Sequence, residues 1–299
     1  MKTLSLIGSS GFIGKSFIDY LNRVNGSFLN IKKLYLFQRS KKKLVSKKIE
    51  TIFKIEDFKK IKKIPETDYI IYAIKSNSIT EAKIIFKNFK KILKKLNKKP
   101  KIIFLSSGAI YGKYNNKIKL YENNKIYKKN IFKLSGVKKK YAKEKIFLEN
   151  EFIKLARNGY NTSIARCFTF YGKYIVKYNY AISDILKSIK ENKNVILNNK
   201  GNTYRSFMHA DDMSIWILNI MNRSSEECPT VNIGSDQAMS IKKLALLLIK
   251  KLNPKIKIIF DKNSKKYNDY YVPSIYLAKR ELKLTISKNI KNIIKEDIF

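Results

Sequence analysis

The order of apolar and polar segments predicts an α/β fold: a doubly wound parallel sheet with a smaller C-terminal lobe. Through the first 172 residues, short apolar runs alternate with helical periodicity, which suits a parallel sheet covered by helices on both faces. A glycine-rich turn, Gly8-Ser9-Ser10-Gly11-Phe12-Ile13-Gly14, stands where the first run meets the first helical pattern. Beyond residue 172 the rhythm becomes mixed, with no repeat or long linker. Two domains are expected, 1–172 and 173–299, with some later segments free to return to the first.

The strands are expected at Leu4 to Ile7, Lys33 to Phe37, Tyr69 to Ala73, Lys101 to Leu105 and Thr162 to Cys167. Helices are expected at 12–24, 79–96 and 138–158, the last closed by Asn158-Gly159. Region 113–137, rich in Lys, Asn and Tyr, reads as a loop or insertion, and Lys138 to Lys140 as a solvated helix start. In the second lobe, Tyr180 to Glu191, Asp211 to Asn222 and Ser240 to Lys251 read as helices and Thr230 to Ile233 as a strand.

The formal net charge of +41 is the loudest property of the composition. Its lysines are spread along the whole chain among many Asn, Ile and Tyr, which describes a cationic surface better than a nucleic-acid site. A nucleic-acid partner is therefore not expected, whereas an anionic small substrate would be attracted. No window reaches the roughly 18 apolar residues of a membrane span. Residues 1–14 lack a secretory signal, so a cytoplasmic protein without a membrane partner is expected. Two cysteines and one histidine, without paired ligand spacing, argue against a metal site.

A strand, a glycine-rich turn and then a helix can cradle a pyrophosphate. Gly8 permits the tight turn, Gly11 lets the backbone approach the phosphates, and Gly14 lets the helix pack closely, while the helix N-terminus adds donors and partial positive charge. The second strand ends in Gln38 and Arg39 rather than an acid. An acid there would bind a ribose 2′-hydroxyl, whereas Arg accepts a 2′-phosphate, so NADP is expected ahead of NAD.

The fourth strand ends in Ser106-Ser107, at the sheet edge that faces ligands in such folds. In "YAKEK", Tyr141 and Lys145 are four residues apart and share a helix face, so phenol and ammonium can converge on one ligand.

The glycine turn, "SSGAIYG", "YAKEK", "RCFTFYG" and "RSFMHADD" follow one another in an order that resembles the extended short-chain dehydrogenase/reductase family along essentially the whole chain. The resemblance implies a nucleotide-sugar-modifying enzyme with a Rossmann domain and a substrate-binding lobe. It implies cofactor contacts from Gly8, Ser10, Gly11, Phe12, Ile13, Gly14, Arg39, Ala73, Tyr141 and Lys145, and from Asp57 of "IEDF" near the adenine. Ser107, Tyr141 and Lys145 carry over as the catalytic set, with Ser107, Thr169 and Arg205 on the substrate and Arg205 paired with its phosphate. Thr169 stands where the family commonly has Asn. His209, Asp211 and Asp212 are expected to be structural, the carboxylates as helix caps, and Arg166 structural too.

Acid-base catalysis coupled to hydride transfer is implied, with Tyr141 exchanging the proton. A free tyrosine titrates near pH 10, and lowering it by about three units takes about 4 kcal/mol. One positive charge about 4 Å away supplies that at an effective dielectric of about 20. Family dehydratases carry Asp-Glu after the catalytic Ser or Thr, but Gly108 and Ala109 stand here. That leaves a 4-epimerase or a 4-ketoreductase. The NADP expectation from Arg39 and the resemblance of the short chain to deoxysugar ketoreductases favour a 4-keto-6-deoxy sugar reductase, with a 4-epimerase as the alternative. The resemblance also implies surface-polysaccharide synthesis and a homodimer. A non-catalytic nucleic-acid-binding protein on the same fold is the remote alternative, opposed by the intact catalytic set.

Overall fold

A computed structural model describes residues 2–38, 49–55, 57–114, 117–175, 180–198, 203–261, 269–293 and 295–298, with the side chains of 53–55 left aside. Strand β1 (Lys2–Ile7) leads into helix α1 (Phe12–Arg23), then β2 (Ile31–Gln38), β3 (Glu50–Ile55) and β4 (Tyr69–Tyr72). Helix α2 (Ile79–Leu93), β5 (Lys101–Ser107), the short α3 (Lys128–Phe132), the long α4 (Gly136–Arg157) and β6 (Thr162–Cys167) follow.

These six strands and Thr230–Ile233 form one sheet, in the order Thr230–Ile233, β6, β5, β4, β1, β2, β3. Every pairing from β3 to β6 is parallel. The Ile164 amide donates to the Pro229 carbonyl and that of Phe168 to Ile233, so the last strand runs the same way. The chain winds outward from β1 to β3, then returns to β4 on the other side of β1. The β1/β4 boundary is thus the switch point, where ligands enter such sheets.

The expected doubly wound sheet is observed. It contains β3, which was not expected. The sequence there, Glu50-Thr51-Ile52-Phe53-Lys54-Ile55, is short and half polar, and it is a strand because β2 offers it an open edge. The region expected as a loop contains α3.

Helix α4 ends as its Asn-Gly predicts. Gly159 adopts φ 76°, its amide donates to Ala156 and that of Tyr160 to Leu155. Its position on the sheet is held by packed aromatic rings. Phe152 of α4 stacks on Phe104 of β5 at 4.8 Å and meets Tyr72 of β4 edge-on at 5.4 Å, with Phe86 of α2 at 5.2 Å. Burying such rings stabilises by roughly 2 kcal/mol each. It also fixes which residues of α4 approach the strand ends.

Two compact units divide the chain. The first comprises Met1–Gly112, Ile126–Cys167 and Ser214–Val231, and the second Lys113–Lys125, Phe168–Met213 and Asn232–Phe299. This differs from a division at 172/173 because 113–125 and 168–172 fall in the second unit and 214–231 in the first. In the second unit, Thr203–Arg205 lies between Met239–Ser240 and Asp269–Tyr271 in a small sheet. Val195–Leu197 pairs with Ile258–Phe260. Among the described residues no helix is long and apolar enough to cross a membrane.

Candidate active site

The turn after β1 shows why glycine stands at two positions for the protein's own sake and at a third for another reason. Gly8 has φ 93°, and a Cβ there would lie 2.7 Å from the Ala73 carbonyl oxygen. Its amide donates to Phe37, while the Ala73 amide donates to Ile7, so the ends of β1, β2 and β4 are tied together at this point. At Gly14 a Cβ would lie 2.3 Å from the Ser9 carbonyl oxygen. That close contact is with the turn itself rather than the sheet face.

Gly11 differs. It is the N-cap of α1 with ordinary φ −75°, and no atom lies within 4 Å of where its Cβ would be. Its own chain does not require glycine there, but a ligand approaching the backbone would. The helix N-terminus it opens has no side-chain cap and no acid in its first turn, as an anion site needs. A cavity of about 160 Å³ opens beside it, lined by Gly8, Ser10, Gly11, Gln38, Asp57 and Ala73 among others. These residues fit a dinucleotide cofactor.

Phe12 is buried and Ile13 half-buried at the start of α1. Gln38 is buried at the end of β2, its Oε1 accepting from the Ser9 hydroxyl at 3.1 Å. Arg39, on which the NADP expectation rests, lies outside the described residues. Asp57 caps its own turn, Oδ1 accepting from the Lys59 amide at 3.0 Å, and remains on the cavity wall.

Of the catalytic candidates, one ends a strand and two lie on α4. Ser107 closes β5, and its Oγ accepts from the Ala109 amide at 3.2 Å. Tyr141 and Lys145 lie one turn apart on α4, with the ammonium 5.5 Å from the phenol ring centroid. Lys145 is 3% exposed and donates to the Leu105 carbonyl at 3.2 Å and the Ile74 carbonyl at 3.4 Å. It thereby ties α4 to the ends of both β5 and β4. Burial pushes its ammonium below the ordinary lysine range, opposed by Glu144 beside it.

Behind Ser107 lies a buried polar network that the sequence reading missed. Ser106 donates to Glu149 Oε1 at 2.5 Å, and Arg166 clasps the same carboxylate through Nε at 3.1 Å and Nη2 at 2.9 Å. Arg166 Nη1 also donates to the Tyr111 hydroxyl at 2.8 Å. Burial opposes the guanidinium charge, yet Glu149 holds its pKa above the ordinary value. Strand pairing sets Ser106 opposite Arg166, so the expected structural role of Arg166 is realised as a brace between β5, β6 and α4. A signal was present: Glu149 is an acid four residues after Lys145, on the face that the helix buries.

Arg205 and Thr169 belong to the second unit. Arg205 Nη2 meets Asp269 Oδ2 at 2.6 Å, Nη1 donates to the Tyr204 carbonyl, and the guanidinium lies 5.4 Å over the Tyr271 ring. The Thr169 carbonyl accepts from the Met208 amide. His209 and Asp212 both bond within the second unit, and the cap expected of the carboxylates is supplied by His209. His209 Nδ1 accepts the Asp211 amide at 3.1 Å, so the imidazole satisfies the helix start. Asp212 instead accepts from the amide and hydroxyl of Ser287 and the amide of Lys288. Burial holds the His209 imidazole below its ordinary range. Among the described residues no group of acids, cysteines and histidine could hold a metal.

Doubly wound sheets of this kind bind nucleotides at the switch point where the glycine turn and Ala73 meet. The chain belongs to the NAD dependent epimerase/dehydratase family, whose sequence model matches residues 4–234. That agrees with the extended short-chain dehydrogenase/reductase resemblance. No curated protein matches the chain. Among solved structures it is similar to a UDP-glucose 4-epimerase from Thermotoga maritima, at 16% identity and TM-score 0.76, covering 99% of this chain and 97% of that one. A UDP-N-acetylglucosamine 4-epimerase from Methanobrevibacter ruminantium shares 18% identity at TM-score 0.74, covering 99% and 96%. A dTDP-glucose 4,6-dehydratase from Bacillus anthracis shares 15% at TM-score 0.75, covering 99% and 95%. At these identities the likeness is one of fold.

Proposed function

We propose that the protein is an NAD(P)-dependent oxidoreductase acting at C4 of a nucleotide-diphosphate sugar, as a reductase of a 4-keto-6-deoxy sugar. The reading is supported by one observation: the Lys145 ammonium, 5.5 Å from the Tyr141 ring centroid, is held by the carbonyls of Leu105 and of Ile74, and Ile74 lines the cavity.

When bound, the nicotinamide supplies the hydride. The turn from Gly8 to Gly14 would hold the pyrophosphate through backbone amides at the start of α1. Tyr141 gives its proton to the sugar oxygen, the Ser107 hydroxyl hydrogen-bonds that oxygen, and the Lys145 charge lowers the cost of the phenolate left behind. Beyond Ser107 the chain continues as Gly108-Ala109, without the second acid and base that 4,6-dehydration needs.

The remaining assignments belong to the same proposal. NADP is preferred over NAD on the strength of Arg39 and the neutral Gln38 at the end of β2. Arg205 turns to a substrate phosphate in competition with Asp269, and Thr169 contacts the sugar. The enzyme acts in the cytoplasm as a homodimer. Residues 1–172 carry most of the cofactor site and 173–299 most of the sugar site.

A 4-epimerase is the second reading, supported by the names of two proteins of similar fold, a UDP-glucose 4-epimerase and a UDP-N-acetylglucosamine 4-epimerase. The test is optical: NADPH and NADH oxidation with a panel of nucleotide-linked 4-keto-6-deoxy sugars. Stoichiometric oxidation is expected, faster with NADPH. Interconversion of nucleotide hexoses without net oxidation would replace the reductase with the epimerase, and silence in both assays would remove the proposal.

A further inference from the structure

We propose that Lys75 is a positioning residue for the Tyr141–Lys145 pair, a second cation that eases ionisation of the phenol from the turn after β4. The proposal rests on the oxidoreductase reading above.

The two neighbours of Lys75 are both fastened to α4, at consecutive residues. Before it, the Ile74 carbonyl accepts from Lys145 Nζ at 3.4 Å, and after it, the Ser76 amide donates to Glu144 Oε1 at 3.4 Å. The backbone of an exposed lysine is thus tied to the helix that carries the phenol. From there its Nζ lies 6.0 Å from the Tyr141 ring centroid, against 5.5 Å for Lys145. Lys75 also lines the cavity that begins at the glycine turn.

Lys145 and Lys75 differ in solvation, and the difference assigns their roles. Lys145 is buried and anchored on two carbonyls, whereas Lys75 is exposed and adjustable. Two ammonium groups near one phenol repel each other, and a phenolate near both offsets that repulsion. The other titratable groups acting on Lys145 do not cancel this. Glu144 favours the Lys145 ammonium, Glu149 is engaged by Arg166 and Ser106, and burial pushes the Cys167 thiol up to about 12, so it is neutral. Lys75 acts on Lys145 in the opposite sense to Glu144.

The experiment needs neither cofactor nor substrate. Absorbance at the tyrosinate band is followed against pH for the full chain and for Tyr141→Phe, and the difference isolates one phenol. The same subtraction is made with Lys75→Met and with Lys75→Arg. Lys75→Met is expected to raise the Tyr141 midpoint by about 0.5 to 1 pH unit, and Lys75→Arg to restore it. An unchanged midpoint in Lys75→Met would overturn the proposal, as would a shift that Lys75→Arg fails to restore, since that would report packing rather than charge. Failure of the sugar panel above would remove the reductase and leave this titration standing, so the two ideas fail separately.

Discussion

The two units use their buried polar groups differently. In the first, the groups that matter recur at helical spacing on α4: Tyr141, Lys145 and Glu149 stand four residues apart, and Lys145 and Glu149 reach β4, β5 and β6 at their ends. In the second, the polar bonds start from separate elements rather than from one helix, Arg205 with Asp269 and Asp212 with Ser287. The first arrangement fastens one helix to three strands. The second closes chain segments onto one another.

The comparison is broken most severely at Tyr141. Tyr141→Phe is expected to lower kcat by about 1000-fold while the dinucleotide Kd changes less than about twofold, because only the proton is lost. Stopped turnover with intact binding, measured side by side, would establish the phenol's part; activity within about tenfold of wild type would remove it.

Next comes the closing role of the second unit. Asp212→Asn weakens three charge-assisted bonds, to the Ser287 amide and hydroxyl and the Lys288 amide. Urea unfolding is expected to show a loss of about 2 kcal/mol, with dinucleotide affinity unaltered. Altered affinity with undiminished stability would make Asp212 part of a binding site instead.

A smaller effect sharpens the reading of the glycine turn. Gly11→Ala places its methyl in open space at an ordinary φ, so thermal unfolding should stay within about 2 °C of wild type. Dinucleotide affinity should nonetheless fall about tenfold, about 1.4 kcal/mol, as the methyl meets the phosphates. Unchanged affinity would mean that the cofactor backbone runs elsewhere.

The smallest effect is in the pH dependence of stability. Burial holds Lys145 below the ordinary lysine pKa, so between its folded and unfolded values the unfolded chain binds more protons, and this group's contribution to stability rises with pH. The penalty of burying the ammonium is complete below the folded pKa and is relieved on the alkaline side. Lys145→Met removes that dependence. Its unfolding free energy relative to wild type should therefore be highest near neutrality and decline as pH is raised, as denaturant melts at several pH values would record. A constant difference would show that the group titrates alike in both states.

How much of this was legible depends on distance along the chain. Six strands of the sheet, the glycine turn and the Tyr141–Lys145 pair were readable because each is specified by neighbours within one turn or one strand. The strand Glu50–Ile55 was not, since a short half-polar segment becomes a strand only beside an open edge. The Glu149–Arg166–Tyr111 brace was half legible: the helical position of Glu149 is local, but its partners come from β6 and from the turn after β5. That His209 rather than Asp212 caps the helix was hidden, because the groups that claim Asp212 lie at 287 and 288.

By itself, the sequence determined the α/β class, the conformational freedom at Gly8 and the shared helix face of Tyr141 and Lys145, because dihedral sterics and helical periodicity act between near neighbours. Only the tertiary structure decided that Gly11 faces open space, that Lys145 is buried between two strand-end carbonyls, and that Lys75 is held beside the phenol. Burial and electrostatic environment are properties of atoms brought together across the chain, and those depend on the packed sheet and helices rather than on any local stretch.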